Sequence, residues 1–184
     1  TGSAQNSMIV DNGDLNYSNS GPWETISINY DSSFYTYFQR DQDILDGGDL
    51  PGSNTASWNF NNLGAGTYQV SSHWFKHSSL APNAQITISG IEGGPVTVSL
   101  DQRFAPNDFT ADGTTWEELG NFQVAAGATL TVTITDDGAN GDVVADAMRL
   151  ELIPIGLRSP EIEVQAGAVD LVSGVGSVDL GTAN

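Results

Sequence analysis

The sequence contains no cysteine, so neither disulfide bonds nor thiolate metal sites can stabilise it. It also lacks a run of about 18 apolar residues, the length that a membrane-spanning helix requires. Basic residues are scarce, because five Lys and Arg stand against 23 Asp and Glu and give a formal net charge of −18. A surface this negative repels nucleic-acid phosphates and anionic lipids. We therefore expect neither nucleic-acid binding nor membrane insertion.

The sequence also lacks a clear amphipathic helical period. Short runs that alternate apolar and polar residues recur between Gly, Asn, Asp and Pro, which is the pattern of strands and turns. This pattern predicts an all-β protein, a two-sheet sandwich of the jelly-roll kind with a C-terminal extension of strand character. The predicted strands are Ile26–Ile28, Phe34–Gln39, Thr55–Phe60, Gly66–His77, Ala84–Ile91, Pro95–Gln102, Glu118–Val124, Thr129–Thr135 and Val143–Leu152.

One face of these predicted strands is apolar and should form the core. The predicted inward residues are Phe34, Phe38, Ala56, Trp58, Phe60, Tyr68, Val70, Trp74, Ile86, Ile88, Val96, Val98, Leu100, Phe122, Val124, Leu130, Val132, Ile134, Val144, Met148 and Leu150.

The composition divides the chain into three parts. Residues 1–7 are expected to be an N-terminal extension, and residues 8–153 a β-sandwich accessory domain. Residues 154–184 form a linker and a strand-like tail, which is too short to bury a core alone. We expect this tail to pair with an exposed sheet edge of the same molecule or of a neighbour, so self-association through the tail is one expectation.

The last predicted strand carries a carboxylate on its apolar face. Val144, Asp146 and Met148 share that face in a period of two residues. A buried ionised group costs several kcal/mol or so unless donors or a cation satisfy it. We expect Asp146 to be a structural buried charge, held by Arg103 or by backbone N–H groups, with a ligand role as the alternative.

Aromatic and imidazole side chains alternate on two predicted strands. His73, Phe75 and His77 should project from the face opposite Trp74, and Tyr35 and Tyr37 also lie on a predicted outer face. Together they are candidates for a platform on which a sugar ring stacks, because sugar C–H groups pack against π faces. The alternative is that a loop or the tail strand covers them. The spacing of the two histidines along a strand is too long for one zinc ion.

Three acidic turns offer oxygen ligands for calcium: residues 11–14, 41–49 and 136–142. In the last turn the candidate ligands are Asp136, Asp137, Asn140 and Asp142. This turn is not an EF-hand, because Gly138 and Ala147 occupy positions that require carboxylates. Calcium is therefore a possible cofactor through a site of another geometry, and solvated hairpin turns are the alternative.

Nothing in the sequence predicts an enzyme. Both histidines, His73 and His77, lie on one predicted strand, and no GxSxG nucleophile elbow occurs. The acidic residues lie mostly in turns, where solvation is the default. Lys76 shares a strand face with Trp74 and is a candidate for an intramolecular isopeptide bond, although a solvated strand end is the commoner environment for a lysine.

Five motifs in order carry a family resemblance. They are DNGD at residues 11–14 with Trp23, ASWNFNNLGAGTYQVSSHWF at 56–75, DQR at 101–103, WEELGNFQVAAG at 116–127 and GDVVADAMRLEL at 141–152. Over residues 8–152 the chain resembles the golvesin C-terminal-like domain, which also occurs on bacterial xanthan lyases. The resemblance implies a jelly-roll, carbohydrate-binding-like accessory module of secreted bacterial proteins without catalytic machinery. The tail resembles the opening strands of immunoglobulin-like repeats of large bacterial surface proteins.

These observations together predict a non-catalytic, secreted or cell-surface bacterial module that binds polysaccharide weakly. The expected partners are a polysaccharide and neighbouring domains of the same polypeptide. The alternative function is a structural or adhesion spacer of a large surface protein that associates through its tail strand.

Overall fold

The protein is described by a computed structural model that covers residues 7–27, 41–45, 54–154, 164–166 and 169–171. The chain divides into two compact units, Thr1–Pro154 and Ile155–Asn184. Only strands occur as regular elements in the described ranges. No helix in these ranges has the length and apolar character needed to cross a membrane.

The first unit contains two five-stranded antiparallel sheets and one three-stranded sheet. In spatial order, the first sheet consists of β1 (Ser7–Val10), β13 (Ala147–Ile153), β6 (Gly66–His73), β10 (Thr114–Val124) and β9 (Phe109–Ala111). The second sheet consists of β2 (Tyr17–Ser20), β5 (Thr55–Phe60), β11 (Leu130–Thr135), β7 (Ala84–Ser89) and β8 (Val96–Leu100). The third sheet consists of β12 (Val143–Ala145), β4 (Asp41–Leu45) and β3 (Glu24–Ser27).

The two five-stranded sheets share one apolar core, which confirms the predicted all-β sandwich. Alternation is strict in the second sheet, where β5, β7 and β11 bury every other residue. Trp58, Ile86 and Val132 of this sheet are fully buried. They belong to the same cluster as Val70 and Leu150 of the first sheet, so the sandwich interior lies between the two layers.

Several core assignments differ from the prediction. Val96 is 40% exposed because β8 is an edge strand with few neighbours. Trp116 and Leu119 of β10 are buried although the prediction omits them. Trp116 precedes the predicted strand, because β10 begins four residues earlier than predicted. Leu119 lies within the predicted strand, and an irregularity between Glu118 and Gly120 changes the phase of the alternation there. The predicted inward residues Phe34 and Phe38, on the predicted strand Phe34–Gln39, lie outside the described residues.

The predicted strand Val143–Leu152 is in fact two strands in two different sheets. β12 pairs with β4, and β13 pairs with β6 and β1. Val143 and Ala145 join the main core in β12, whereas Met148 and Leu150 join it in β13. The period of two therefore breaks at Asp146, because the chain changes sheets there.

A smaller apolar cluster lies behind β12. It contains Trp74, Leu80 and Val144. The side chain of Gln102 is almost fully buried beside it and bonds both the N–H and the C=O of Val144, as a neighbouring strand would. An amide side chain thus satisfies part of the β12 backbone.

The second unit is described only at two short strands. β14 (Val164–Ala166) pairs antiparallel with β15 (Val169–Leu171). Strand character in the tail agrees with the sequence pattern. Association of the tail with another molecule stays a prediction.

Candidate functional site

One carboxylate accepts hydrogen bonds from polar groups on three segments of the chain. Asp43, on β4, is 4% exposed. Its Oδ2 accepts hydrogen bonds from the Tyr17 hydroxyl at 2.7 Å and from Asn19 Nδ2 at 2.8 Å, both on β2. Its Oδ1 accepts from Thr25 Oγ1 on β3 at 2.7 Å and from Asn12 Nδ2 at 3.3 Å. Four donors compensate the burial of this charge, and the bonds join β2, β3 and the β1–β2 loop to β4.

An open cleft of about 400 Å³ lies over this network. Two carboxylates, those of Asp14 and Asp43, line it, and among the described residues no Lys, Arg or His does. The remaining lining is polar or lacks a side chain, and consists of Asn12, Gly13, Tyr17, Ser18, Asn19 and Thr25. The cleft is therefore rich in hydroxyl and amide groups and negative in charge.

The Tyr17 hydroxyl is fixed as a donor. Burial raises its pKa far above the ordinary value, and the bond to the Asp43 carboxylate and the field of Asp146 raise the pKa further. The Tyr17 ring packs against Trp58 with a centroid distance of 5.4 Å, so its position is set by the sandwich core. Tyr17 thereby connects the core to the base of the cleft.

The amide of Asn12 has an acceptor to spare. Its Nδ2 donates to Asp43, which fixes the orientation of the amide plane. Its Oδ1 is buried and has no hydrogen-bond partner among the described residues. A buried acceptor without a donor costs about 1–3 kcal/mol, so a hydroxyl donor that reached this oxygen from the cleft would remove that cost.

Hydrogen bonds within the loop before β2 stabilise its conformation. Asp14 Oδ2 accepts from the Asp11 backbone N–H at 2.9 Å, and Asp11 Oδ1 accepts from the Asn12 backbone N–H at 2.9 Å. Gly13 has a φ of 122°, a conformation that residues with a side chain rarely adopt. These contacts place Asn12 over β4. They bring residues 11–14 next to residues 41–45, the described part of the second acidic segment that the sequence singles out.

The sequence prediction for Asp43 itself is wrong. It places this residue in a solvated acidic turn, whereas Asp43 is buried in a strand. Its four donors come from positions 18 to 31 residues away, so no local pattern reveals them. The DNGD motif was a usable signal, since it supplies the loop that covers Asp43.

The predicted aromatic platform is not formed by His73. Strand β6 ends at His73, so the expected alternation does not continue to Phe75 and His77. His73 is 5% exposed and packs against the rings of Trp116 and Phe75. Its Nδ1 donates to the Thr115 carbonyl oxygen at 2.8 Å, and burial lowers its pKa. The neutral imidazole is therefore part of the interior.

The other platform candidates have separate surroundings. Phe75 is half-buried and contacts His73 edge-on, and His77 is exposed. Tyr35 and Tyr37 lie outside the described residues. A sugar contact through Phe75 or His77 stays a prediction. Lys76 is exposed, so the environment of a buried cross-link is absent at this residue.

His77, Ser79 and Asp142 form a hydrogen-bonded group on the surface. His77 Nδ1 lies 2.9 Å from Ser79 Oγ, and Ser79 Oγ donates to Asp142 Oδ2 at 2.8 Å. The hydroxyl thus lies between imidazole and carboxylate. In a nucleophilic triad the imidazole lies between the hydroxyl and the carboxylate, so this group has the wrong order for that chemistry.

The candidate calcium ligands have protein partners. Asp136 is 5% exposed and accepts hydrogen bonds from the backbone N–H and the Nδ2 of Asn54, at 3.2 and 2.7 Å. Asp137 is exposed, and the Asn140 backbone N–H donates to the Asn83 side chain. Within the described part of the chain, no group of three or more His, Asp or Glu is placed to hold a metal ion. Calcium binding at Asp136, Asp137, Asn140 and Asp142 stays a prediction.

The predicted ion pair between Arg103 and Asp146 is wrong. Arg103 is exposed and makes a two-pronged ion pair with Asp101, with contacts of 2.8 and 2.6 Å. An ion pair with the nearby surface residue Asp101 does not require Arg103 to lose its hydration, whereas an ion pair with the buried Asp146 would. Asp146 is 2% exposed, as the alternation predicts, and its Oδ2 lies 3.9 Å from Nε2 of His73.

A different arginine is buried on β13, an inner strand of the first sheet. Arg149 is 5% exposed although the alternation places it outside. Its Nε bonds Asp112 at 2.8 Å, its Nη1 bonds Glu151 at 2.6 Å, and its guanidinium lies over the Phe109 ring. This arginine fastens the β9–β10 hairpin to β13.

The fold and the cleft together define a β-sandwich module with a polar, solvent-accessible cleft at the edge of one sheet. The model of the golvesin C-terminal domain family matches residues 8–152. The chain therefore belongs to this family, which confirms the resemblance inferred from its motifs.

Two similar proteins are xanthan lyases that are several times longer than this chain. The chain is 31% identical over 149 residues to xanthan lyase from Bacillus sp. strain GL1, a match that covers 78% of this chain and 14% of that protein. The solved Paenibacillus xanthan lyase aligns with a TM-score of 0.65 and 28% identity, over 82% of this chain and 13% of that one. The chain thus spans about a seventh of each of these two xanthan lyases.

A more distant structure shares the fold alone. The Podospora anserina GH26-CBM35 β-(1,4)-mannanase aligns with a TM-score of 0.51 at 14% identity, over 85% of this chain and 29% of that one.

Proposed function

We propose that this chain is a non-catalytic module that binds a neutral polysaccharide in the cleft around Asp43. The observation that carries the proposal is the buried Asp43 carboxylate, which orients the amides of Asn12 and Asn19 at an open polar cleft. Each amide has a donor and an acceptor in one plane, a geometry that suits neighbouring hydroxyl groups of a sugar ring.

The charge of the cleft favours a neutral sugar over an acidic one. The carboxylates of Asp14 and Asp43 line it without a described cation. Transfer of a sugar carboxylate into this field is unfavourable, and the net charge of −18 adds long-range repulsion. Hydroxyl groups carry no such penalty and can donate to the carboxylate of Asp14.

The environments of the two histidines support a non-catalytic role. His73 is buried and neutral at the Thr115 carbonyl, and His77 belongs to a surface group without triad order. A general base must reach a proton on the substrate, and neither imidazole lines the cleft. The module would then act by holding the substrate near other domains.

The family and the relatives support the wider setting. The chain matches a small part of xanthan lyases, so we infer that it is one module of a longer bacterial polypeptide with polysaccharide as its partner. The acidic, cysteine-free composition is compatible with a secreted or cell-surface location. The spacer function with tail-strand association is the alternative and stays a prediction.

Affinity electrophoresis tests the proposal. The gels would contain β-1,4-mannan, β-1,4-xylan or β-1,3-glucan as neutral polymers, xanthan as the substrate named for the relatives, and polygalacturonate as an acidic polymer. We expect at least one neutral polymer to retard the protein and polygalacturonate to leave it unretarded. Failure of every neutral polymer to retard the protein would overturn the proposal.

A matched pair of variants locates the binding. Asn19→Ala removes an exposed amide that bonds Asp43 in the cleft. Asn121→Ala removes an exposed amide that bonds Glu118 at 3.0 Å in the first sheet. We expect Asn19→Ala to abolish retardation and Asn121→Ala to preserve it, with both variants folded by circular dichroism. Equal retardation of the two variants would place the ligand elsewhere.

A further inference from the structure

The second sheet carries no charged residue in any of its five strands. The strand sequences of β2, β5, β7, β8 and β11 contain neither Asp, Glu, Lys, Arg nor His. This is unusual for a protein with 23 acidic residues, whose first sheet does carry Glu and Arg. The outer face of the second sheet is therefore a neutral surface on a strongly negative molecule.

Hydroxyl groups form a continuous row across this face. Ser18 of β2 stands opposite Ser57, Ser57 opposite Thr133, Thr133 opposite Thr87, and Thr87 opposite Thr97. Strands lie about 4.8 Å apart, so the row spans about 19 Å. Ser18 and Thr97 at its ends are exposed, and the three central residues are half-buried.

The row is organised by its own hydrogen bonds. Ser57 Oγ and Thr133 Oγ1 are 2.9 Å apart, and Thr87 Oγ1 and Thr97 Oγ1 are 2.8 Å apart. In each pair one hydroxyl donates to the other. The second hydroxyl keeps its hydrogen for an outside acceptor, and both oxygens keep lone pairs. The row thus offers both donors and acceptors in fixed positions.

The row begins at the cleft. Ser18 both lines the cleft and occupies the first position of the row, because β2 is the edge strand beside the cleft. A ligand chain that leaves the cleft over β2 meets the row directly.

We propose that the hydroxyl row from Ser18 to Thr97 extends the cleft into a longer binding surface for a neutral polysaccharide chain. The inference rests on the proposed function of the cleft and adds the requirement for a polymer. A neutral polymer suits this face, because the face has neither a charged group that would attract an ion nor an aromatic ring that would favour stacking. Its hydroxyl groups suit a partner with many hydroxyl groups of its own.

The proposal predicts that affinity depends on chain length. The test uses the neutral polysaccharide from the panel that retards the protein most, together with its disaccharide, in isothermal titration calorimetry. The double variant Thr87→Val and Thr133→Val removes two hydroxyls without changing side-chain shape. We expect its affinity for the polymer to fall about tenfold, the equivalent of one to two hydrogen bonds, and its affinity for the disaccharide to be unchanged.

Two further variants complete the experiment. Thr67→Val with Thr110→Val is the matched control in the first sheet, where Thr67 Oγ1 bonds the Gln123 side chain across two strands. This control should bind the polymer as the unmodified protein does. Thr97→Lys adds bulk at an exposed edge position and should weaken polymer binding even if the double variant folds poorly.

The outcomes separate the two proposals. Unchanged polymer affinity in the Thr87→Val, Thr133→Val variant and in Thr97→Lys, with the disaccharide still bound, would overturn the extended surface and leave the cleft intact. Absence of binding to every neutral polymer and disaccharide would overturn the proposed function and the extension together.

Discussion

At the scale of single residues, Asp43 is the centre of the candidate site. Its carboxylate is buried, yet four side-chain donors surround it. An arrangement of this kind stabilises the local structure and fixes the amides that face the cleft. Stability and the proposed binding therefore depend on the same network, and substitutions must be chosen to separate them.

Tyr17→Phe tests how strongly this network stabilises the fold. The substitution removes a 2.7 Å hydrogen bond to a carboxylate, and we expect the free energy of unfolding to fall by about 2 kcal/mol. Tyr68→Phe is the control, because the Tyr68 hydroxyl donates at 3.1 Å to the neutral carbonyl of Gly64 and should contribute about 1 kcal/mol. Urea unfolding measures both values. A loss for Tyr17→Phe no larger than for Tyr68→Phe would contradict the role given to Asp43.

His73 predicts a definite pH dependence of stability. Burial lowers its folded pKa below the unfolded value of 6.5. As the pH falls below about 6.5, the unfolded chain binds a proton that the folded chain does not, so the free energy of unfolding decreases by up to about 1.4 kcal/mol per pH unit. His73→Gln should remove this contribution, and His77→Gln, at an exposed position, should retain it.

The measurement is urea unfolding of the three proteins at about pH 7.5 and about pH 5.5. Other groups titrate in the same range. The contribution of His73 is therefore the difference between the unmodified protein and His73→Gln in the change of the free energy of unfolding from about pH 7.5 to about pH 5.5. The same pH dependence in His73→Gln and in the unmodified protein would show that the imidazole is not held neutral.

At the scale of elements, the turn after β11 has a structural explanation. Asp136 bonds the backbone and side chain of Asn54, the residue that precedes β5. Asp136→Ala should lower the free energy of unfolding by about 2 kcal/mol, because two donors lose a charged acceptor. Asp137→Ala should change it by less than about 0.5 kcal/mol, since that side chain is exposed. Thermal or urea unfolding of both variants checks this.

A calcium site in this turn would give another result. Both substitutions would then destabilise the protein, and removal of calcium with EDTA would lower the melting temperature of the unmodified chain. That pattern would establish the calcium prediction for Asp136, Asp137, Asn140 and Asp142.

The elements show how far sequence patterns determine this fold. Thr55–Phe60 is predicted with its observed bounds, because its alternation is strict: one face of the strand is buried in the core along its whole length, and the other face is partly exposed. Alternation does not predict the strands around Asp146 correctly. The chain passes there from one sheet to another, and residues on both faces of the strands are buried. Strands β1, β2, β4 and β9 are short and weakly patterned, and the sequence does not predict them.

The site was less predictable than the fold for a related reason. Asp146 could be predicted to be buried, because the apolar residues Val144 and Met148 alternate with it along the chain. The partners of Asp43 could not be assigned, because hydrogen bonds between distant segments leave no periodic trace. Arg103 is a different case, since its partner Asp101 is only two residues away and both side chains lie at the surface.

At the scale of the whole molecule, the distribution of charge is the organising feature. The chain has a net charge of −18, yet the strands of the second sheet contain no charged residue. The cleft lies at the edge of that sheet. A negative protein with a neutral, hydroxyl-bearing face repels anionic polymers, and this supports the proposal that its partner is a neutral one. The membership in the golvesin C-terminal domain family and the short match to xanthan lyases agree with such a module in a longer chain.

A nuclear magnetic resonance titration of the labelled protein, with a neutral oligosaccharide from a polymer that retards it, tests most directly whether the cleft at Asp43 binds sugar. We predict that the side-chain amide signals of Asn12 and Asn19 shift together along one saturation curve, because both amides border the cleft at Asp43. Saturable binding that leaves both amide signals in place would show that the sugar does not bind in this cleft.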